Sequence, residues 1–500
     1  MHNLDTLRAE QEKILALGGK DKIEKQHSLN KMTSRERINA LIDEGTFVEI
    51  DAFAHQRGNI PYSDENLAAD GVVCGYGAVN NRQVCVFAQD YTVVGASLGE
   101  VGAEKIVKLL KLASKTGVPV IGLAESAGIR LSEGLDALSG LGKILKVSAK
   151  ISGVVPQILA VMGPLAGIAA SLSSMCDFTL VTEKTSNLFL NGPQVVKGST
   201  NSDITAENLG GALSSAKNGK AHIVCENDAD CIEKIKKILD YIPDNNLGAA
   251  PFGGEGDDIN RVSENLNLTD SENLDIRTVI NEICDASSVL ELSKDYAQNV
   301  VTSFAYLGGE STAIVAVNGE LDIKGCKKAA RFVRFADSFN IPIVTLTNTK
   351  GFKADKNEED SNNLEAAANL ISAYAEATTA KIDVIVGSAC GGAYLASGSK
   401  YIGSDMTIAW PGAEISVLNS SACANIMFKD DIAKSGNPQK EREEKIAEYK
   451  ENSANPYIAA KRGYVDSITE PANTRPVLIS ALEMLAGKRE SGLSKKHKSN

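Results

Sequence analysis

Two stretches of this sequence end an apolar run in small residues that would let the backbone itself do chemistry. They are ILAVMGPLAGIAA (158–170) and VIVGSACGGAYLA (384–396). In each, a buried strand is expected to run through glycines into a helix. Glycine lets a ligand approach the main chain, and the first N–H groups of a helix have no partner within it. Such N–H groups point at an anion or a polarised oxygen. Two preorganised donors with no side chain in the way are what an oxyanion hole requires, for example for a thioester enolate. Close strand–helix packing would use the same glycines in either stretch alone. Their matching positions in two copies favour a pair of anion sites.

Other motifs give little. There is no G-x-x-x-x-G-K-[ST] phosphate loop, and GYGAVN (75–80) lacks the third glycine of a dinucleotide fingerprint. Ala124-Glu125-Ser126-Ala127-Gly128 mimics a nucleophile elbow, yet His222 is the histidine available downstream in the folded body. Cys390 lies inside the second glycine loop and reads as a small filler rather than a nucleophile. KEREEKIAEYKEN (440–452) reads as a solvated helix with Glu441 and Lys445 paired at i,i+4.

The elements that must position these loops follow from the rest of the chain. Its 500 residues exceed one ordinary core at roughly 150 residues per domain. Lys and Arg number 52 against 64 Asp and Glu, a net charge of −12, which argues against binding to a nucleic-acid backbone. Nine cysteines include no C-x-x-C, most lie in apolar runs, and the charged, helical start does not read as a secretory leader. Reduced thiols in a cytoplasm are the expectation, and no metal site is expected. Ile151 to Cys176 carries no charge, but Pro156, Gly163, Pro164 and Gly167 interrupt it, so it reads as strand, turn and helix rather than a membrane span.

The chain repeats itself. Laying GVPVIGL (117–123) on NIPIVTL (340–346) brings Pro119 onto Pro342, an offset of 223. A helical face precedes each: Ile106, Leu109, Leu110 and Ala113, then Ala329, Phe332, Val333 and Ala336. A glycine loop follows each, ESAGIR (125–130) and NTKGFK (348–353). Further on, Gly163 meets Gly387 and Gly167 meets Gly391 at an offset of 224. The segment 247–275, rich in Gly, Asp, Asn and Ser, has the character of a linker. The reading is an α/β protein of two homologous domains, 1–250 and 251–500, with one topology expected over about 70–225 and 295–470.

The chain resembles the carboxyltransferase subunits of biotin-dependent acyl-CoA carboxylases and decarboxylases, the propionyl-CoA carboxylase β and methylmalonyl-CoA decarboxylase α family. The likeness runs from about Lys31 to Leu485. It rests on MTSRERI (32–38), DGVVCGYG (70–77), FAQDYTVVGASLGEVGAEKIVKL (87–109), GPQVVK (192–197), KAARFVRFADSFNIPIVTL (328–346), CGGAYLASGSK (390–400), AWPGAEI (409–415) and NPYIAAKRGYVDSITEP (455–471).

The resemblance implies two tandem crotonase-like domains, each a ββα spiral. It also implies a homo-oligomer, a hexamer, with sites where the N-domain of one subunit meets the C-domain of another. The implied reaction moves a carboxyl group between biotin and the α-carbon of a short-chain acyl-CoA, propionyl or acetyl. Gly167 and Ile168 would then hold the acyl-CoA oxygen, and Gly392 and Ala393 the biotin ureido oxygen. Ser126, Ala127, Gly128, Arg130, Gly163, Gly351, Phe352, Gly391 and Leu395 would line the substrate sites. The chain has no A-M-K-M biotinyl motif. Biotin would therefore arrive on a separate biotin carboxyl carrier protein, loaded by a biotin carboxylase or a membrane decarboxylase subunit, in the cytoplasm or at the periphery of that membrane complex. Departures occur at Ile168, where the family has glycine, at Lys350 for proline, and at Leu395 for a frequent aspartate. A binding scaffold without activity, or a crotonase-type hydratase, are the other classes. The hydratase would need acids in the cleft, and Glu125 is the obvious candidate.

Overall fold

The computed structural model describes residues 2–57, 67–254, 256–268 and 274–492. The chain divides into two units, Met1–Gly248 and Ala249–Asn500. In the first, strands Val48–Ile50 (β1), Val72–Val79 (β2), Arg82–Gln89 (β3), Val120–Ser126 (β4), Gln157–Ala166 (β5), Phe178–Thr182 (β6), Asn187–Phe189 (β7) and Ile223–Cys225 (β8) form one sheet in the order β1-β2-β3-β4-β5-β6-β8, with β7 on β5. β2 and β3 make an antiparallel hairpin closed by Asn80 and Asn81, both with positive φ, as a two-residue turn of that hand requires. From β3 onward the pairs are parallel, so helices must cross between them: Glu100–Thr116 before β4 and Leu135–Ile151 before β5.

The second unit repeats this plan. Leu290–Leu292 (β9), Val300–Leu307 (β10), Glu310–Asn318 (β11), Ile343–Thr349 (β12), Lys381–Cys390 (β13), Met406–Ala409 (β14), Glu414–Ser416 (β15) and Ser467–Ile468 (β16) lie in the matching order, with β15 on β13. Gly308 and Gly309 replace the two asparagines of the hairpin turn, again at positive φ. Helices Ile323–Ser338 and Asn363–Glu376 are the crossovers. The two domains of one topology expected from the repeat are therefore present.

The helical faces read from sequence are core: Ile106, Leu109, Leu110 and Ala113 in one unit, and Ala329, Phe332, Val333 and Ala336 in the other, are all buried. All nine cysteines are buried thiols outside any disulfide. The uncharged run folds as β5 and a short helix Ser171–Met175, and among the described residues no helix is long and apolar enough to cross a membrane.

Two expectations need correction. Of the segment 247–275, residues 255 and 269–273 lie outside the described residues, and its described part from Ala249 onward is no free linker. Gly253 N–H donates to Gly309 O at 2.7 Å, and Asp257 pairs with Arg261 at 2.9 Å and with the buried Arg475 at 3.8 Å. Helix Pro438–Ser453 is solvated, with no buried residue, but Lys445 pairs with Glu448 at 2.8 Å instead of Glu441.

Candidate active site

Each unit builds its glycine loops from the same distortion. β4 and β5 stay in step to Ala124 opposite Val161, then slip so that Ser126 faces Leu165. β12 and β13 slip likewise between Thr347 and Thr349. The extra residues peel the end of β5 onto β7 and the end of β13 onto β15. The gap is filled from the neighbouring strand. A Cβ on Gly163 would lie 2.4 Å from the Glu125 carboxyl carbon, and one on Gly387 would lie 2.4 Å from Asn348 Oδ1.

The loops after β4 and β12 are also alike. Gly128 N–H donates to Ser126 Oγ at 3.1 Å, and Gly351 N–H donates to Thr349 Oγ1 at 3.3 Å. Gly128 and Gly351 take positive φ, 113° and 140°. Each loop is tied back by a bridge, Leu98 with Ile129 and Leu321 with Phe352.

The strand ends then turn into helices through Gly167 and Gly391, whose φ of 74° and 64° favour glycine. Gly167–Ala170 is a single 3₁₀ turn, and Gly391–Ala396 is a short α-helix. Ile168, Gly392 and Leu395 are exposed on them, while Ala393 is buried with its N–H in the first turn. The Phe352 ring stands 3.2 Å from where a Gly392 Cβ would be, and Val417 O is 3.0 Å from a Gly391 Cβ. Gly391, Gly392 and Leu395 line a cleft of about 550 Å³ walled by Tyr394, Tyr401 and Tyr464, with Arg462 at its edge. The Tyr401 and Tyr464 rings meet edge to face at 5.3 Å. Burial raises the Tyr394 hydroxyl far above its ordinary range.

Several residues expected to touch substrate have other work. Arg130 is buried, paired with Asp70 and with Glu133 at 2.9 Å, and donates to Ser97 O at 2.8 Å, so its charge is already spent inside the unit. Ser126 is buried and donates to Ala96 O at 2.7 Å, which braces the turn instead of lining a channel. Gly163 is buried and makes room for Glu125. Ala127, exposed, and Gly128, partly exposed, remain at the surface of the loop. The hydratase alternative loses its acid. Glu125 is wholly buried, held by Lys31, by Arg37 Nη1 at 2.9 Å and by Gln26 Nε2 at 3.0 Å, and Arg37 Nε reaches Asp228 at 2.7 Å. Burial pushes the Cys390 thiol up to about 11, which agrees with a filler.

Sequence reasoning missed that cluster and the tyrosine wall. The first had a visible signal in MTSRERI (32–38), which supplies Arg37 and the capping box of Thr33 and Glu36 that starts its helix. The second had none, since Tyr394 and Tyr464 are joined only by folding.

What the two strand ends share is backbone: a positive-φ glycine followed by the first turn of a helix, whose N–H groups have no partner within it. Two spirals of one topology, each presenting such donors, define a tandem crotonase-like protein suited to stabilising an oxyanion. Residues 25–499 match the carboxyl transferase domain, and the chain belongs to that family. It is 43% identical over 505 residues to the methylmalonyl-CoA decarboxylase subunit alpha of Veillonella parvula, covering 99% of this chain and 98% of that one. It is 42% identical to the propionyl-CoA carboxylase carboxyltransferase subunit of Haloferax mediterranei, with the same coverage. The crystal structure of transcarboxylase 12S, a hexamer with methylmalonyl-coenzyme A and methylmalonic acid bound, matches with a TM-score of 0.95 and 40% identity over 99% of this chain and 97% of that one.

Proposed function

We propose that this protein moves a carboxyl group between biotin on a separate carrier protein and the α-carbon of a short-chain acyl-CoA of the propionyl/methylmalonyl class. One observation carries the reading: in both repeats a bulged strand end turns into a helix through a positive-φ glycine, Gly167 in one and Gly391 in the other, so the N–H groups of the first turn, from Gly167 and Ile168 and from Gly392 and Ala393, have no partner within the helix. Biotin fits the second, where Gly392 lets the Phe352 ring close over the turn beside an aromatic-walled cleft of about 550 Å³. When bound, biotin supplies the nitrogen that carries the carboxyl group and takes the α-proton. The chain supplies the rest from its main chain. The Gly167 and Ile168 N–H groups hold the thioester oxygen as negative charge builds on it, and those of Gly392 and Ala393 hold the ureido oxygen. One such donor is worth roughly 2.7–4 kcal/mol in known cases.

The reading includes a homo-oligomer, as in the hexameric transcarboxylase 12S. In it the first hole of one copy would be completed by the second hole of another. The test is to incubate the protein with free biotin and a panel of acyl- and malonyl-type CoA esters, following loss or transfer of the carboxyl group. Methylmalonyl-CoA turned over only in the presence of biotin supports the reading. No biotin-dependent turnover of any ester refutes it.

A further inference from the structure

The two repeats share element order, bulges and loop bonding, so residues at one hole have counterparts at the other, and there the counterparts differ. Gly167 and Gly391 match, both at positive φ. The next residue is Ile168 in one unit and Gly392 in the other. On the facing loop, the bridge to Leu98 is made by Ile129, and the matching bridge to Leu321 by Phe352.

In the C-terminal unit the Phe352 ring stands 3.2 Å from the position of a Gly392 Cβ, filling the space a side chain there would take. In the N-terminal unit the matching loop residue is not a ring but Ile129, partly buried and packed against the core. Ile168 instead carries a side chain of its own, 46% exposed. The wall that one repeat draws from its loop, the other draws from the first turn of the hole itself.

We infer that Ile168 is the wall of the acyl pocket, the residue that limits the length of the acyl chain this protein accepts. The inference rests on the proposed function above. The wall is stiff for two reasons. A Cβ-branched side chain has few χ1 choices, and the turn beneath it is pinned by Ser171 Oγ donating to Ile168 O at 2.7 Å. A stiff apolar wall favours acyl groups that just reach it and excludes longer ones. One methylene of fit is worth about ten- to two-hundredfold in such a pocket.

The test compares wild type with Ile168→Ala and Ile168→Gly, with Ile168→Val as the near-conservative control. Dissociation constants for acetyl-, butyryl- and hexanoyl-CoA are measured by calorimetry without biotin, and kcat/KM for carboxyl transfer with it. Ile168→Ala keeps a Cβ, so it reads the wall even if glycine loosens the turn. The expected result is a rise of about tenfold or more in the hexanoyl-to-acetyl preference of the Ala and Gly variants, with Val close to wild type. Ratios within about twofold of wild type in both, or an equal loss for all three esters, overturn the inference. Shifted binding ratios without any carboxyl transfer would leave the wall standing and remove the proposed function. Transfer with unshifted ratios would do the reverse. No binding of any ester by wild type would refute both.

Discussion

Glu125→Gln should destabilise the N-terminal unit far more than its one-atom change implies. The carboxylate is wholly buried between Lys31, Arg37 and Gln26, and Arg37 is paired in turn with the buried Asp228, so two buried cations balance two buried anions. Removing one anion leaves a buried cation without its counterion, which costs about 3–5 kcal/mol. Against a typical total of about 5–15 kcal/mol, that is a large share of the unit's stability. Gly163→Ala strikes the same point sterically, since its Cβ would lie 2.4 Å from the Glu125 carboxyl carbon. The assay is native-state hydrogen exchange on peptides covering Ser34–Leu41 and Val120–Ser126, which carry the two sides of the cluster. Opening free energies there should fall by about 3 kcal/mol or more in both variants. The double variant Glu125→Gln, Lys31→Met should recover part of the loss, because charge balance returns. Protection unchanged within about 1 kcal/mol in Glu125→Gln, or a double variant worse by the sum of the singles, would refute the charge-balance argument.

Gly392→Val should cut carboxyl transfer by about a hundredfold while acyl-CoA binding persists, because the branched side chain meets the Phe352 ring over the donors; steady-state kinetics and a binding titration check it. Burial raises the Asp383 carboxyl to about 8, with Thr347 Oγ1 donating to it in partial opposition. The folded chain thus keeps a proton that the unfolded chain loses near pH 4, so this stabilisation is complete below about pH 4, declines by about 1.4 kcal/mol per pH unit above it, and is gone past the folded value. Asp383→Asn, uncharged throughout, should flatten that decline and be more stable than wild type at pH 8, as urea denaturation at several pH values would show. Leu395 is exposed on the wall of the C-terminal cleft. Leu395→Asp should therefore lower kcat/KM for biotin by about tenfold, because a carboxylate replaces an apolar wall, while the preference among acetyl-, propionyl- and butyryl-CoA stays the same.

How much could be read in advance depended on whether a residue's role is set by its neighbours in sequence. The repeat was legible because buried parallel strands and one-sided helices leave a period that survives divergence, as Pro119 and Pro342, or Gly167 and Gly391, still show. The glycine loops at Gly167, Gly391, Gly128 and Gly351 were legible for the same reason, and the positive φ that all four adopt is the local backbone requirement behind them. Roles decided by distant partners were not. Arg130 beside a glycine loop reads as a substrate-site residue until Asp70 and Glu133 close on it. Glu125 reads as an acid until Lys31 and Arg37, some ninety residues earlier, neutralise it. A Gly- and Asp-rich segment reads as a linker until Arg261 and Arg475 pin its aspartate.

All three errors have one cause. A charged side chain in sequence carries no sign of whether its counterion is a ligand or a residue of the same chain. The glycines carry a different kind of information. Where Gly163 meets Glu125 and Gly387 meets Asn348, the missing side chain marks which neighbour it yields to, and the two repeats yield to different ones at the same place. That difference explains how one scaffold keeps its backbone donors at both holes while the side chains around them diverge. The donors depend on the bulge, and the bulge tolerates either a charged clamp or an amide as its filler. Under the proposed function, chemistry done by main-chain N–H groups would persist through side-chain changes such as those at Ile168 and Leu395 that would abolish chemistry done by side chains.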